Sequence, residues 1–287
     1  MPAPVSPVVA SWELALRLRK RRQQFGIEVR AITQELGFTR NYWSAVENER
    51  KVLSEESLIK LIDLFEFDQE ERKELLELRA AAKEHGWWAR YSGLIDENLQ
   101  RLYGFEYGAQ SIRTYESLLI PGLLQTADYA RALMTPDITI RRVEVDQRIE
   151  ARLRRQDRLN EDSTFQLTAI FSEAVLRQQI GGPKVLRRQL ERLADMIDEH
   201  PENLEVRVIP FTATSCGLFG AATVHLIDFE SPRLPTVAWQ ETVTSRGIIE
   251  ESTEVRDLTM TYNDAFRHAK TTQETLEFIR HRIEELA

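Results

Sequence analysis

The stretch GIEVRAITQELGFTRNYWSAVENERK, from Gly26 to Lys51, decides how this chain is read. Val29, Ile32 and Leu36 recur at spacings of three and four, the period of a helix with one face on a core, and Gly37 closes that helix. Thr39 is placed to cap the next one by accepting a backbone N–H. On that helix Trp43 and Val46, three apart, turn inward, which leaves Arg40, Asn41, Ser44, Ala45 and Asn48 on its outer side. Upstream, Leu14 and Leu18 lie four apart in a stretch that ends near Gly26, predicting a helix before it. Downstream, Ser54 caps a helix with Leu58, Leu61, Ile62 and Phe65 in one stripe. Asp68 with Glu71 reads as a capping box for a fifth helix through Leu75 and Leu78 toward Ala82. The expectation is an all-α five-helix domain over residues 12–84, preceded by a disordered segment, residues 1–11.

The charge is segregated. The chain of 287 residues carries a net −8. Between Trp12 and Lys51, nine basic residues against five acidic ones leave +4, so the remainder holds −12. Such an asymmetry is expected when one end of a protein meets phosphate and the other does not.

These residues resemble the Cro/repressor-type, or XRE, helix-turn-helix domains, over roughly Trp12 to Phe65. In that family an arginine of the first helix pairs with a glutamate at the end of the third, and Arg22 and Glu47 hold those positions. Val46 precedes the glutamate, and Leu36 and Gly37 match the family's leucine and glycine of helix two. Two positions depart. Val29 stands where the family usually has a glutamine that supports base contacts, and Glu49 stands where a glycine often follows helix three, implying a differently shaped turn.

The resemblance implies a helix that enters a DNA major groove about 12 Å wide and reads base edges with short polar side chains. Arg40 is suited to guanine, Asn41 to adenine, and Ala45 to a thymine methyl, with Ser44 and Asn48 within reach of base or phosphate. Thr39, Arg30, Arg50 and Lys51 flank the helix, the three cations as phosphate clamps. Arg22, Glu47, Trp43 and Val46 support the reader from behind. A single reader gives a small interface, so a homodimer on a pseudo-palindromic double-stranded site is expected.

Beyond Lys83 the pattern breaks at Gly86, Trp87, Trp88 and Gly93. A boundary near residue 85 is expected, with a linker and connecting helix over 85–110 and an α+β domain with a small sheet over 111–287. Strands are predicted at Phe165–Ala169, Leu204–Val208, Thr223–Phe229 and Pro235–Glu241. Helices are predicted at about Arg141–Asn160, Pro183–His200, Glu251–Ala269 and Thr272–Leu286. The whole is predominantly helical. The alternating charges of Arg142 to Arg155 read as a solvated face laced with weak ion pairs, or as a dimer seam.

Three strings resemble the C-terminal domain of actinobacterial antitoxin-like regulators, including the WhiJ-like group: IRTYESLLIPGLLQTADYARAL from Ile112, RIEARLRRQ from Arg148 and LEVRVIPF from Leu204. The resemblance implies a regulator that binds a very small protein encoded beside it. A possible surface for that partner is Pro121, Gly122, Leu123, Leu124, Gln125, Thr126 and Tyr129; the residues alone show a Pro-Gly turn and a helix capped by Thr126. Two alternatives to a signal-receiving regulator are an antitoxin-like protein that mainly sequesters its partner and a repressor responsive to a small molecule.

Catalysis is not expected. His85, His200, His225, His268 and His281 are scattered with no metal-ligand spacing. Gly181, Gly182, Pro183 and Lys184 lack the outer glycine and following hydroxyl of a phosphate loop, and Pro183 reads as a helix start. No cofactor or metal is expected. The lone Cys216 excludes an internal disulfide framework and fits a reducing compartment. No run of about 18 apolar residues exists and Met1 to Pro7 lacks the form of a secretory signal, so a cytoplasmic, nucleoid-associated protein is expected.

Overall fold

A computed structural model of the chain describes residues 3–162 and 164–287. They divide into two compact units, residues 4–89, and residues 90–287 with Ala3.

The first unit is all helical: α1 (Pro7–Gln24), α2 (Val29–Leu36), α3 (Arg40–Glu47), α4 (Glu55–Leu64) and α5 (Gln69–Ala81). The expectation of disorder over residues 1–11 is corrected from Pro7 onward; residues 1 and 2 lie outside the described residues. The Ser6 hydroxyl accepts the Val9 N–H, and Pro7 sits in the first turn, where a missing N–H costs nothing. Gly37 ends α2 at φ 66, a left-handed conformation open to glycine. Thr39 caps α3, Ser54 caps α4, and Asp68 and Glu71 form both halves of a capping box on α5. Leu14, Leu18, Ile32, Trp43, Val46, Leu58, Leu61, Ile62, Phe65 and Leu75 all enter one buried cluster, joined by Leu53 from the loop before α4.

In the second unit α6 (Glu97–Gly108) leads into β1 (Ser111–Glu116), then α7 (Ala127–Met134), α8 (Val145–Arg154), α9 (Asp157–Glu161) and β2 (Gln166–Ser172). There follow α10 (Glu173–Arg177), α11 (Pro183–Glu199), β3 (Leu204–Ile209), β4 (Thr223–Asp228), β5 (Val237–Glu241) and β6 (Arg246–Ile249). Two helices close the chain, α12 (Ser252–His268) and α13 (Thr272–Glu285). The division between units falls after Ala89, inside a short 3₁₀ turn at Trp87–Tyr91, and α6 packs on β6 within the second unit.

One six-stranded mixed sheet has the order β3-β2-β1-β4-β5-β6. Its β1, β2 and β3 run parallel, joined by helical crossovers, while β4 to β6 pair antiparallel. The register sorts its two faces. Tyr115, Ile170, Ile209, Leu226 and Ala238 pack with Val255, Tyr262 and Ala265 of α12. The opposite face is apolar along β2 and β3, with Leu167, Ala169, Phe171, Val206 and Val208, while along β1, β4 and β5 a polar half adjoins the apolar Ile112, Ile227 and Val237. On that polar half Thr114 and Glu116 stand beside His225 and Thr223, which stand beside Trp239 and Glu241. The polar residues in β1 conceal its alternation, and β6 has only four residues; neither strand was expected.

Candidate nucleic-acid interface

The helix α3 is held from behind and open in front. Thr39 Oγ1 accepts the Tyr42 N–H at 3.1 Å, fixing the first turn. Trp43 and Val46 sink into the core at 1% and 5% exposure, so the remaining side chains face away from it. Arg40, Asn41, Ser44 and Asn48 are exposed, Ala45 is half-buried, and Thr39, Arg30, Arg50 and Lys51 are exposed around them. The ion pair implied by the family resemblance forms: Arg22 Nε donates to Glu47 Oε1 at 2.7 Å. Arg19, which the sequence reading counted only as a charge, donates to the Glu47 carbonyl at 2.5 Å. That satisfies a carbonyl left open at a helix C-terminus and adds a cation where the helix dipole favours one.

Several basic residues therefore serve structure rather than phosphate. Arg17 pairs with Glu74 at 2.8 Å, and Arg21 pairs with Glu71 while its guanidinium lies 4.1 Å from the centre of the Phe67 ring, tying α1 to α5 and its approach. With Arg19 and Arg22, four of the nine cations counted in the sequence face inward bonds. The exposed ones are Lys20, Arg30, Arg40, Arg50 and Lys51, and Lys51 Nζ lies 4.9 Å from the Tyr42 ring centre.

Two details of α3 differ from expectation. Asn48 folds back, its Nδ2 donating to the Ser44 carbonyl at 2.7 Å and to Ser44 Oγ at 3.3 Å, so its amide N–H group closes the helix rather than projecting. Glu49 adopts φ 61, the left-handed conformation a glycine would take at this position, so the turn keeps its shape without the glycine.

The corner from Pro121 to Tyr129 is corrected as a partner surface. Pro121, Leu123, Leu124, Gln125 and Tyr129 are buried, and only Gly122 and Thr126 are partly exposed. Gln125 Nε2 donates to the Ile120 carbonyl at 2.6 Å, and Gln189 holds the corner through the Leu124 carbonyl and the Thr126 N–H. The corner is packed against α8 and α11, which uses up its side chains.

The charged string after Arg142 carries exposed ion pairs at Asp146 and Glu150, with Arg131 and Arg90, but is corrected at Arg152 and Arg155. Arg148 pairs with the buried Glu144, and Arg155 turns inward and forms two bonds to Glu106, 2.7 Å from Nε and 2.6 Å from Nη2. Arg152 Nη1 donates to Gln125 Oε1 at 2.6 Å. Around them burial dominates the protonation states. Glu116 is pushed up to about 8 by desolvation, partly opposed by the Thr223 hydroxyl that donates to it at 2.7 Å. His225, bonded through Nδ1 to Thr114 at 2.7 Å, is driven down to about 3 by burial and by the Arg155 charge. Tyr129 is raised to about 12 by desolvation.

Between β2, β3, α11 and α13 an open cleft of about 480 Å³ is lined by Gln166, Asp198, Glu202 and Glu205 among others. Arg280 pairs with Asp198 at 2.9 Å and Arg207 with Glu205 at 2.7 Å. Among the described residues no group of three or more histidine, cysteine or carboxylate side chains is placed to hold a metal ion, and no helix is long and apolar enough to cross a membrane.

Comparison with known proteins agrees with this division. Residues 13–75 match a helix-turn-helix domain family, so the exposed helix α3 belongs to a domain of the kind found in DNA-binding regulators. No curated protein and no solved structure matches the chain. Residues 99–281, well over half of the 287, match a domain of unknown function designated DUF5753, and the chain belongs to that family.

Proposed function

We propose that the protein is a sequence-specific transcriptional regulator of the Cro/repressor type, binding double-stranded DNA as a homodimer in the cytoplasm, where it associates with the nucleoid. It catalyses no reaction in this reading. The observation that carries it is the contrast across α3: Arg40, Asn41 and Ser44 are exposed on a helix whose back is fixed by Trp43, Val46 and the Arg22–Glu47 pair. A reader must be rigid to hold bidentate geometry at base edges, and its polar tips must be open to the bases.

The C-terminal domain receives a signal or a small protein partner. The resemblance to the WhiJ-like group supports a partner encoded nearby, and the packed corner at Pro121–Tyr129 directs the search for its docking site elsewhere in the domain. An experiment separates the regulator from a protein that mainly sequesters its partner. Selection from a random duplex library with the full chain should yield a symmetric site, and Arg40→Ala should relax preference at one position per half-site, costing about 1–3 kcal/mol. Recovery of unenriched sequences by the wild type would contradict the reading.

A further inference from the structure

One flank of α3 carries an aromatic side chain that belongs neither to the core nor to the outer face. On a helix surface, residues three and four apart are neighbours. Tyr42 therefore stands between half-buried Ala45, at the outer face, and Val46, in the core, and is itself half-buried. Its ring lies 4.4 Å from the Phe38 ring, centre to centre, and both rings pack on the helical core. Its backbone N–H is accepted by Thr39 Oγ1 at 3.1 Å. Ring and backbone are fixed, while the hydroxyl has no hydrogen-bond partner among the described residues.

Lys51 comes to the same flank from the other end of the helix. The Arg50 and Lys51 N–H groups both donate to the Ala45 carbonyl, at 2.8 and 3.1 Å, which folds the chain after α3 back against it. From there the Lys51 ammonium reaches to 4.9 Å from the Tyr42 ring centre, where the face of the ring attracts a cation. A lysine side chain loses rotamer freedom when it is held, and resting on the ring meets part of that loss before any partner arrives.

We propose that Tyr42 is a further DNA-contacting residue, its phenol O–H and the Lys51 ammonium donating together to one backbone phosphate on the wall of the major groove. Place and chemistry both select a phosphate. A helix about 10–12 Å across fills a groove about 12 Å wide, so its flanks meet the sugar-phosphate walls rather than the base edges. The ammonium only donates, a phosphate oxygen only accepts, and the phenol has a hydrogen available to join the contact. The inference rests on the DNA-binding reading and deepens it, since the sequence reading gave this clamp to Lys51 alone.

The test uses the full chain and the duplex it selects. Tyr42→Phe keeps the ring under Lys51 and removes a hydroxyl that bonds to nothing in the protein, so its Tm should equal that of wild type. Its affinity should fall about tenfold or more, because two hydrogen bonds to a charged acceptor are lost per dimer. No charge is removed, so the slope of log affinity against log salt should stay as in wild type, and base preference with it. Single phosphates are then replaced by neutral methylphosphonate, one position at a time. At one position in each half-site the loss suffered by wild type should shrink about threefold or more in both Tyr42→Phe and Lys51→Ala, because they share that contact. Wild-type affinity in Tyr42→Phe, an altered base preference, or relief of the two variants at different phosphates would overturn the inference while leaving the base contacts of α3 in place. A wild type that selects no sequence would overturn the DNA-binding reading and this contact together.

Discussion

Arg22 and Glu47 hold the back of α3 through a bond of 2.7 Å between side chains only 20% and 16% exposed. Removing one partner leaves the other charged in a half-buried place, so Arg22→Met should lower unfolding free energy by about 1–2 kcal/mol in urea titration, and DNA affinity with it. A second residue stores strain with no glycine to relieve it. Glu66 sits at φ 53, where a side chain meets its own backbone. Glu66→Gly should therefore raise stability by roughly 0.5–1 kcal/mol, read by the same titration; a loss would mean that the greater freedom of glycine in the unfolded chain outweighs the relief. Residue chemistry was only partly legible in sequence. Arg22 and Glu47 stood out through family resemblance, whereas Arg19 counted only as one more cation, because nothing in its neighbours announces that a carbonyl waits at the end of a helix 28 residues away.

Elements were readable where period and caps agreed. The helices α2 to α5 follow from apolar spacing and from Thr39, Ser54 and Asp68, each of which caps as its side chain allows. The strand β1 was not readable, since Thr114 and Glu116 occupy positions that a buried strand usually fills with apolar residues. The alternating charges of α8 and the turn after it concealed that Arg155 faces the sheet, because period alone cannot tell a solvated arginine from one matched by a distant Glu106. The buried polar face carries its own pH signature. His225 is neutral when folded and titrates near about 3, while an unfolded imidazole takes up a proton near 6.5. Below that pH the unfolded state binds more protons, so stability falls as pH drops from about 6.5 toward 3. His225→Gln should flatten this part of the stability profile relative to wild type; parallel profiles would mean that other groups account for it.

Across the whole molecule a net charge of −8 coexists with exposed cations around α3, and the two make different demands on DNA binding. Arg30, Arg50 and Lys51 should act through phosphate, so replacing any one with alanine removes two contacts per dimer and should reduce the slope of log affinity against log salt by about 2 while leaving base preference intact. Arg40 should act through a base edge. The measurement that bears most directly on this distinction is the affinity of wild type and Arg40→Ala for the selected duplex and for one in which the guanine of each half-site is 7-deazaguanine, which lacks the N7 acceptor in the major groove. The account predicts that the altered base weakens wild type about tenfold or more and has little further effect on Arg40→Ala, because both changes remove the same contact. Equal weakening of both proteins, or none in either, would contradict the placement of α3 against the base edges.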